Sequence, residues 1–504
     1  MESPRVEPEH QAPQSQLYNT QKATLCMVFF LPPSVAHGGL PHSITLRALF
    51  HRSRVATTSQ LLAIAEPLQK TQQYSARKQQ EMRDTRSTVL RVVLLATLVC
   101  SHMARGLGLG EPPDGKAYLA AWTDGSAPFL DSPKGFNGRI GQNAYGFQQA
   151  QTIPVTEYNY TSGGGGQMNI SQVTETGTTA AVFLTVYPQA LSRVSDADLQ
   201  ALGQQLARYQ TTLPQRPVFL RFAPEMQGRW MSYGAQPTQF LALWKRMFAA
   251  VKARAPKTII VWAPNAAMGY PYGIRLSDVA SQADQELLDT NKNGRLDAGD
   301  DAYAAYYPGD EYVDWNGISW YWKGSEYPYR VNQLVPGEYS AGAMTGRSSP
   351  GAMGTGGAQT FTSFYDRYCG SKPCMFSEMG AAFHVNSSGT RNQPSQEALQ
   401  QSWWRDSLTS VAFMDRFPKM KMFMLFEHQK PEDGGDLRDY RISINDQVRA
   451  SWLQDFQGSL QVSSRFIWAD NATSLTSPAA QVARGAAPPS KLDKNLMFDW
   501  ALMR

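Results

Sequence analysis

Between residues 116 and 427 the chain alternates short apolar runs with longer amphipathic stretches. The runs are AYLAAW (117–122), AAVFLTVY (180–187), VFLRFA (218–223), TIIVWA (258–263), DWNGISWYW (314–322), PCMFSE (373–378) and KMFMLFE (421–427). Each is too short for a helix of the interior and apolar at successive positions, the pattern of a strand buried on both faces. A weaker run, GFQQAQTIPV (146–155), brings the number of expected strands to eight. Between them lie helical patterns. SDADLQALGQQLARYQ (195–210) opens on a serine cap, PTQFLALWKRMFAAVKARA (237–255) opens on proline, and QEALQQSWWRDSLTSVAFM (396–414) predicts a third helix. Buried strands joined by crossover helices predict a parallel sheet. Eight of them over residues 112–458 predict an α/β fold of the (β/α)8 TIM-barrel kind. A doubly wound sheet is the alternative, but no glycine-rich phosphate loop follows a strand, and SGGGGQ (162–167) reads as a flexible loop.

The flanks differ in composition. Residues 1–81 are rich in Gln, Ser, Pro and Arg without a sustained period, and read as a disordered or spurious upstream leader. Residues 82–106 then follow a signal-peptide plan: Arg83 and Arg86, an apolar stretch from Val92 to Cys100, then small residues. The stretch is too short to span a bilayer. Residues 459–504 read as a C-terminal extension, largely mobile, with a Ser, Ala and Pro-rich part at 472–490.

Charge follows the same division. The formal net charge of +5 belongs to residues 1–110, and the remainder is close to neutral, which gives no footprint for nucleic acid. Of four cysteines, Cys26 and Cys100 fall in the leader and signal, leaving Cys369 and Cys374 as an expected local disulfide of a secreted chain. Sequons at Asn159, Asn169, Asn386 and Asn471 agree with secretion. Aromatic residues make up 11% of the chain, with 12 Trp and 22 Tyr, enough to floor a sugar groove as well as pack a core.

In a barrel of this kind the chemistry sits where strands end. Glu225 follows the fourth expected strand, Glu378 ends the seventh and Glu427 ends the eighth. Two carboxylates across the mouth are the equipment of glycoside hydrolysis, one holding a proton and the other ionised. Strand-end carboxylates also serve as structural ion pairs, so position alone leaves both readings open. His384 and His428 lie beside these segments, where a lone histidine is more often incidental.

At these residues the chain resembles glycoside hydrolase family 26. RFAPEMQGRWMSYG (221–234) is similar to its acid/base motif, VWAPN (261–265) to the end of its fifth strand, VDWNGISWYW (313–322) to its sixth, and FSEMG (376–380) to its nucleophile segment. The resemblance covers residues 112–458 with the motifs in barrel order. It implies a (β/α)8 barrel of a retaining, endo-acting enzyme, most often a β-1,4-mannanase and sometimes a β-glucanase or xylanase. It implies Glu225 as acid/base, Glu378 as nucleophile and Tyr321 as a hydrogen-bond donor to that nucleophile. Arg221 would orient the carboxylates, and Trp230, Tyr233, Trp262, Asn265 and Trp320 would join Tyr321 in contacting sugar. No catalytic cofactor is implied. Three positions depart from the family pattern: Pro224 stands for His, Gln227 for Asn and Ser319 for Asp.

A further motif is independent of that resemblance. DTNKNGRLDAGD (289–300) places Asp289, Asn291, Asn293, Arg295, Asp297 and Asp300 at loop positions 1, 3, 5, 7, 9 and 12, with Gly294 at the sharp turn. That spacing wraps oxygens around one calcium ion, with an Asp at the last position in place of the usual Glu. The ion would be structural. The readings to separate are therefore a secreted polysaccharide hydrolase, a barrel that binds carbohydrate without cutting it, and a calcium-dependent surface protein. The expected partner is a polysaccharide, with no nucleic acid, no mature transmembrane segment and a monomeric chain.

Overall fold

A computed structural model describes residues 107–123, 135–154, 171–174, 176–213, 216–348, 351, 360–387, 393–432 and 435–471, together with Lys78 and Gln80. The chain divides into two units, Met1–His102 and Met103–Arg504. The signal-peptide segment, the sequons at Asn159 and Asn169 and the tail beyond 471 lie outside the described residues.

Eight parallel strands close into a barrel: β1 (Ala117–Thr123), β2 (Gly146–Ile153), β3 (Ala181–Pro188), β4 (Val218–Phe222), β5 (Ile259–Trp262), β6 (Trp315–Trp322), β7 (Cys374–Ala381) and β8 (Met420–Glu427). They pair in sequence order, and β8 pairs back onto β1 to close the ring. The helices come where the periodicity placed them. Helix α1 (Asp196–Thr212) starts in a capping box between Ser195 and Asp198, and α2 (Pro237–Arg254) starts on its proline. The third expected helix is broken. It forms α3 (Gln396–Asp406), stops at Ser407, and restarts as α4 (Val411–Arg416) with Ser410 capping Phe413 N–H. The SLTS stretch supplies hydroxyls that compete for backbone groups and favour caps over helix interior.

Strand alternation sorts the core into two parts. One cluster holds Tyr118, Ala120, Phe183, Phe219, Ile259, Val261, Trp315, Met375, Met422 and Met424, contributed by strands alone: it fills the barrel. The other holds the intervening residues packed against the helices, among them Leu119, Leu184, Leu220 and Trp262. At the lower end Trp315 Nε1 donates to the Leu109 carbonyl at 2.8 Å, so the segment ahead of β1 seals the floor. Residues after 458 continue the packing: Phe466–Ile467 add parallel to the start of β1, and Ala469 N–H donates to Asn143 O. The Cys369–Cys374 disulfide is formed and ties the turn before β7.

Among the described residues no helix is long and apolar enough to cross a membrane.

Candidate active site

Alternation decides which strand residues look into the barrel mouth. With Phe183, Phe219 and Trp315 inside the barrel, the same faces carry Tyr187 at the end of β3, Arg221 on β4, and Ser319 and Tyr321 on β6. Strand β7 needs one more device. Met375 fills the barrel, yet Met379, an even number of residues later, packs with the outer cluster. The strand changes face across an irregularity in its pairing with both neighbours, where Ser319 comes to pair with Glu378. A bulge of this sort re-aims one side chain. Here it brings Glu378 onto the inner face.

Glu378 is buried and held from two sides. The Arg221 guanidinium Nη1 donates to its Oε1, and Tyr321 Oη donates to its Oε2 at 2.7 Å. Arg221 is wholly buried and also donates to Ser319 Oγ at 2.8 Å. Burial opposes its charge, but the carboxylates of Glu378 and Glu225 and the Tyr187 phenol outweigh that, and the guanidinium pKa is raised. Burial, then the Glu378 charge, raises the Tyr321 phenol well above its ordinary value, so it stays a donor.

Glu225 sits past the end of β4, partly open to the cleft, in the left-handed region at φ 55°. Left-handed backbone is uncommon outside glycine and is tolerated where neighbours over-determine it. They do here: Glu225 N–H donates to Ala263 O at 2.9 Å, and Trp230 Nε1 donates to Glu225 Oε2 at 2.6 Å. Ser319, the acceptor from Arg221, also acts on Glu225 and favours its ionised form. Burial, and next the Glu378 charge, raise the Glu225 pKa; Arg221, Ser319 and Trp230 pull the other way without prevailing. The two carboxyl groups thus differ in surroundings, one braced by a cation and a phenol, the other pushed toward its protonated form.

The loop after β4 is fastened to β5. Gln227 Nε2 donates to Asn265 O at 3.1 Å, and Asn265 N–H donates back to Gln227 Oε1 at 2.9 Å. Asn265 remains half-open to the cleft beside Tyr272, whose hydroxyl donates to Ala266 O at 2.6 Å and whose ring meets Trp230 edge-on at 5.1 Å.

Three expected sugar contacts are corrected. Trp262 is fully buried, donates to Tyr306 O at 3.0 Å and packs among Tyr307, Phe364 and Tyr368. Trp320 is buried too, stacked on Tyr339 with its Nε1 on Ser340 Oγ. Both stand one residue out of phase with inward positions, Val261 and Ser319, and so face the helices. Tyr233 is buried and donates to Pro224 O at 2.7 Å, bracing the loop from behind. Glu427 also turns away from the mouth: it accepts from Ile442 N–H, Ser443 N–H and Ser443 Oγ, and burial raises its pKa to about 7. His384 is buried between Asp436 and the Lys323 carbonyl, and His428 stacks on Phe426. Tyr187 was not singled out from the sequence. Its place at the inward end of β3 is the signal that would have found it, and the charges of Glu378, Arg221 and Glu225 all act on its phenol.

The loop 289–300 closes on itself. Asp289 accepts from Asn293 and Gly294 N–H, and Asp297 accepts from Gly299 N–H and Asn293 Nδ2. Asp300 is buried and accepts from the Thr290 and Asn291 amides with one oxygen and from Asp297 N–H with the other. Gly294 takes φ 77°, as the sharp turn requires. In this arrangement the carboxylates are turned to the loop's own amides, and among the described residues no three of His, Cys, Asp or Glu gather as a metal-binding group.

No family model and no curated protein matches the chain. Solved structures similar to it include an endo-β-1,4-mannanase double mutant from Cellulomonas fimi, at 12% identity and TM-score 0.40 over 70% of this chain and 72% of that one. GH26A from a Muricauda species matches at 14% identity and TM-score 0.35, over 70% of this chain and 92% of that one. A β-D-glucuronidase from Dictyoglomus thermophilum matches at 13% identity and TM-score 0.35, over 68% of this chain and 51% of that one.

Proposed function

We propose that the chain is a retaining glycoside hydrolase that cuts a β-linked polysaccharide, with Glu378 as nucleophile and Glu225 as acid/base. The observation that carries this reading is the pair of mouth carboxylates in opposed surroundings. Arg221 and Tyr321 hold Glu378 in place for attack on the anomeric carbon. Burial and the Glu378 charge favour a proton on Glu225, which it gives to the departing glycosidic oxygen. Glu225 then takes a proton from the water that releases the covalent glycosyl-enzyme. Trp230, Tyr272 and Asn265 border the leaving-group side, because they surround Glu225.

The resemblance favours a β-1,4-mannan backbone and endo action, with a mixed-linkage glucan as the runner-up. We read the enzyme as a secreted monomer, its signal in residues 82–106 and its exposed sequons at Asn386 and Asn471 open to glycosylation. The spacing of residues 289–300 favours a structural calcium ion that would pin the loop after β5 and supply no catalytic charge.

A 2-deoxy-2-fluoro-β-glycosyl fluoride tests the chemistry. Peptide mapping of the inactivated enzyme should find the sugar on Glu378, and NMR of early products should show retained configuration. A protein that binds glycans but releases no reducing ends, and takes no label, is a carbohydrate-binding barrel instead.

A further inference from the structure

Across the mouth from Trp230 stands a second half-buried indole, Trp122. Alternation puts it there. Tyr118 and Ala120 of β1 fill the barrel, so Trp122, two residues further on, ends the same face at the mouth. Its cross-strand partner is Phe426 on β8. In this ring of eight strands β1 stands opposite β5, and β8 opposite β4. The segments after β4 and β5 carry Trp230, Tyr272 and Asn265 around Glu225. Trp122 and Phe426 therefore form the facing wall.

The ring angles show which face of Trp122 is covered. Phe426 and His428 are stacked, 4.2 Å between centroids with their planes 12° apart. Trp122 is steep to both, at 76° and 5.4 Å from Phe426 and at 74° and 5.0 Å from His428. A ring that touches both members of a stack while standing across their planes lies along their edges. An indole aimed edge-first at the face of one ring would be held far from the other. One face of Trp122 is thus backed by the stack, and the opposite face is turned away from it. No other ring lies against Trp122 among the described residues, and its Nε1 donates to none of their groups. A tryptophan N–H with a polar end to present is suited to a wet, half-open site. Trp230, by contrast, spends its N–H on Glu225. The wall continues to the nucleophile: Phe426 meets Tyr321 edge-on at 5.5 Å, and Tyr321 donates to Glu378.

We propose that Trp122 is the platform for the sugars on the nucleophile's side of the scissile bond. Its open face stacks on the C–H face of a pyranose, and its Nε1 donates to a hydroxyl of the same sugar. This rests on the hydrolase reading and assigns the part of that site which selects the glycone. The catalytic pair then lies between two aromatic surfaces, Trp230 and Tyr272 beside the departing chain and Trp122 beneath the chain that stays on Glu378. The contact reads the apolar face of a ring and asks for no charge on it, so it fits a neutral pyranose and is indifferent to salt.

The test uses a dinitrophenyl β-oligoside of the glycan the enzyme cuts. All its sugars lie on the nucleophile's side, and its leaving group departs without a proton. Trp122→Ala should lose roughly tenfold or more in kcat/KM on it, and as much on the polymer, at low and high ionic strength alike. Trp122→Phe keeps a ring face and removes the N–H, and should recover most of the loss. Trp230→Phe should lose mainly on the polymer. Calorimetry should find the free oligosaccharide bound more weakly by a similar factor when Trp122→Ala is added to Glu378→Gln, with both proteins folded by circular dichroism. An unchanged kcat/KM of Trp122→Ala on the dinitrophenyl oligoside, or a loss confined to the polymer, overturns the proposal. So does a loss that Trp122→Phe shares in full together with a lowered thermal midpoint, which would make the indole purely structural. A wild-type protein that cuts neither substrate, and takes no fluoro-sugar label on Glu378, overturns the hydrolase reading itself.

Discussion

Trp230 folds back over Gly228, and that makes residue 228 a sensitive test of the proposed acid/base. A Cβ at 228 would lie 2.2, 2.3 and 2.4 Å from Cζ2, Cε2 and Cη2 of the indole. Ordinary contact begins at 3.4 Å, so in Gly228→Ala the ring must retreat by about 1.2 Å. Tyr272 meets Trp230 edge-on and restricts the retreat. The hydrogen bond from Nε1 to Glu225 starts at 2.6 Å, and a shift of about 1.2 Å along it would break it. Misplacing a catalytic group by about 1 Å costs on the order of a hundredfold. Gly228→Ala should therefore lower kcat/KM on a glycan roughly a hundredfold. The loss should be much smaller on a dinitrophenyl glycoside, whose leaving group departs without a proton. Gly337→Ala is the control, since a Cβ there meets nothing within 4 Å. If Gly228→Ala cuts the glycan at the wild-type rate, or loses equally on both substrates, Trp230 does not position an acid on Glu225.

Three other outcomes can be checked separately. Glu378→Gln should keep the fold while abolishing turnover on glycans and aryl glycosides alike, measured by circular dichroism and by release of reducing ends. Glu427 holds its proton more tightly folded than unfolded, so stability should fall as pH rises from about 4.5 to about 7, by at most about 3 kcal/mol. Glu427→Gln should flatten that decline in urea titrations, and an unchanged slope would assign it to other groups. If loop 289–300 takes calcium, a chelator should lower the thermal midpoint of the wild type and leave Asp289→Ala unaffected. Activity at low temperature should survive both treatments, and calorimetry without calcium binding would mark the loop as a plain Asp-rich turn.

Seven of the eight strands were legible because their apolar runs are buried on both sides. The eighth, β2, was faint because its interior positions are glutamines: Gln148, Gln149 and Gln151 are all buried. Glu225 and Glu378 were readable as strand-end carboxylates. That Glu378 points inward depends on the irregularity in β7, which no residue type announces. Trp262 and Trp320 were misplaced for the opposite reason. Their neighbours had already fixed the phase of β5 and β6, and strict alternation sends both indoles outward. Ser319 reads as a loss when set against an aspartate, yet its hydroxyl accepts from Arg221, the residue that holds Glu378, a role visible only when β4 and β6 are brought together.

The closure of the barrel has a bearing on how the protein is made. Strand β1 is among the first parts of this unit to leave the ribosome, yet its partners come last: Tyr118 pairs with Met422 and Ala117 with Phe466. Until those residues emerge, one side of β1 is an open edge, able to pair with any other extended chain. The ring cannot be sealed piecemeal, and such long-range pairing folds slowly. A chain ended at Gly458 would have all eight strands and still lack the segment that covers the start of β1. Nascent chains stalled before Phe466 should therefore remain protease-sensitive at β1, while release of a few further residues should protect it.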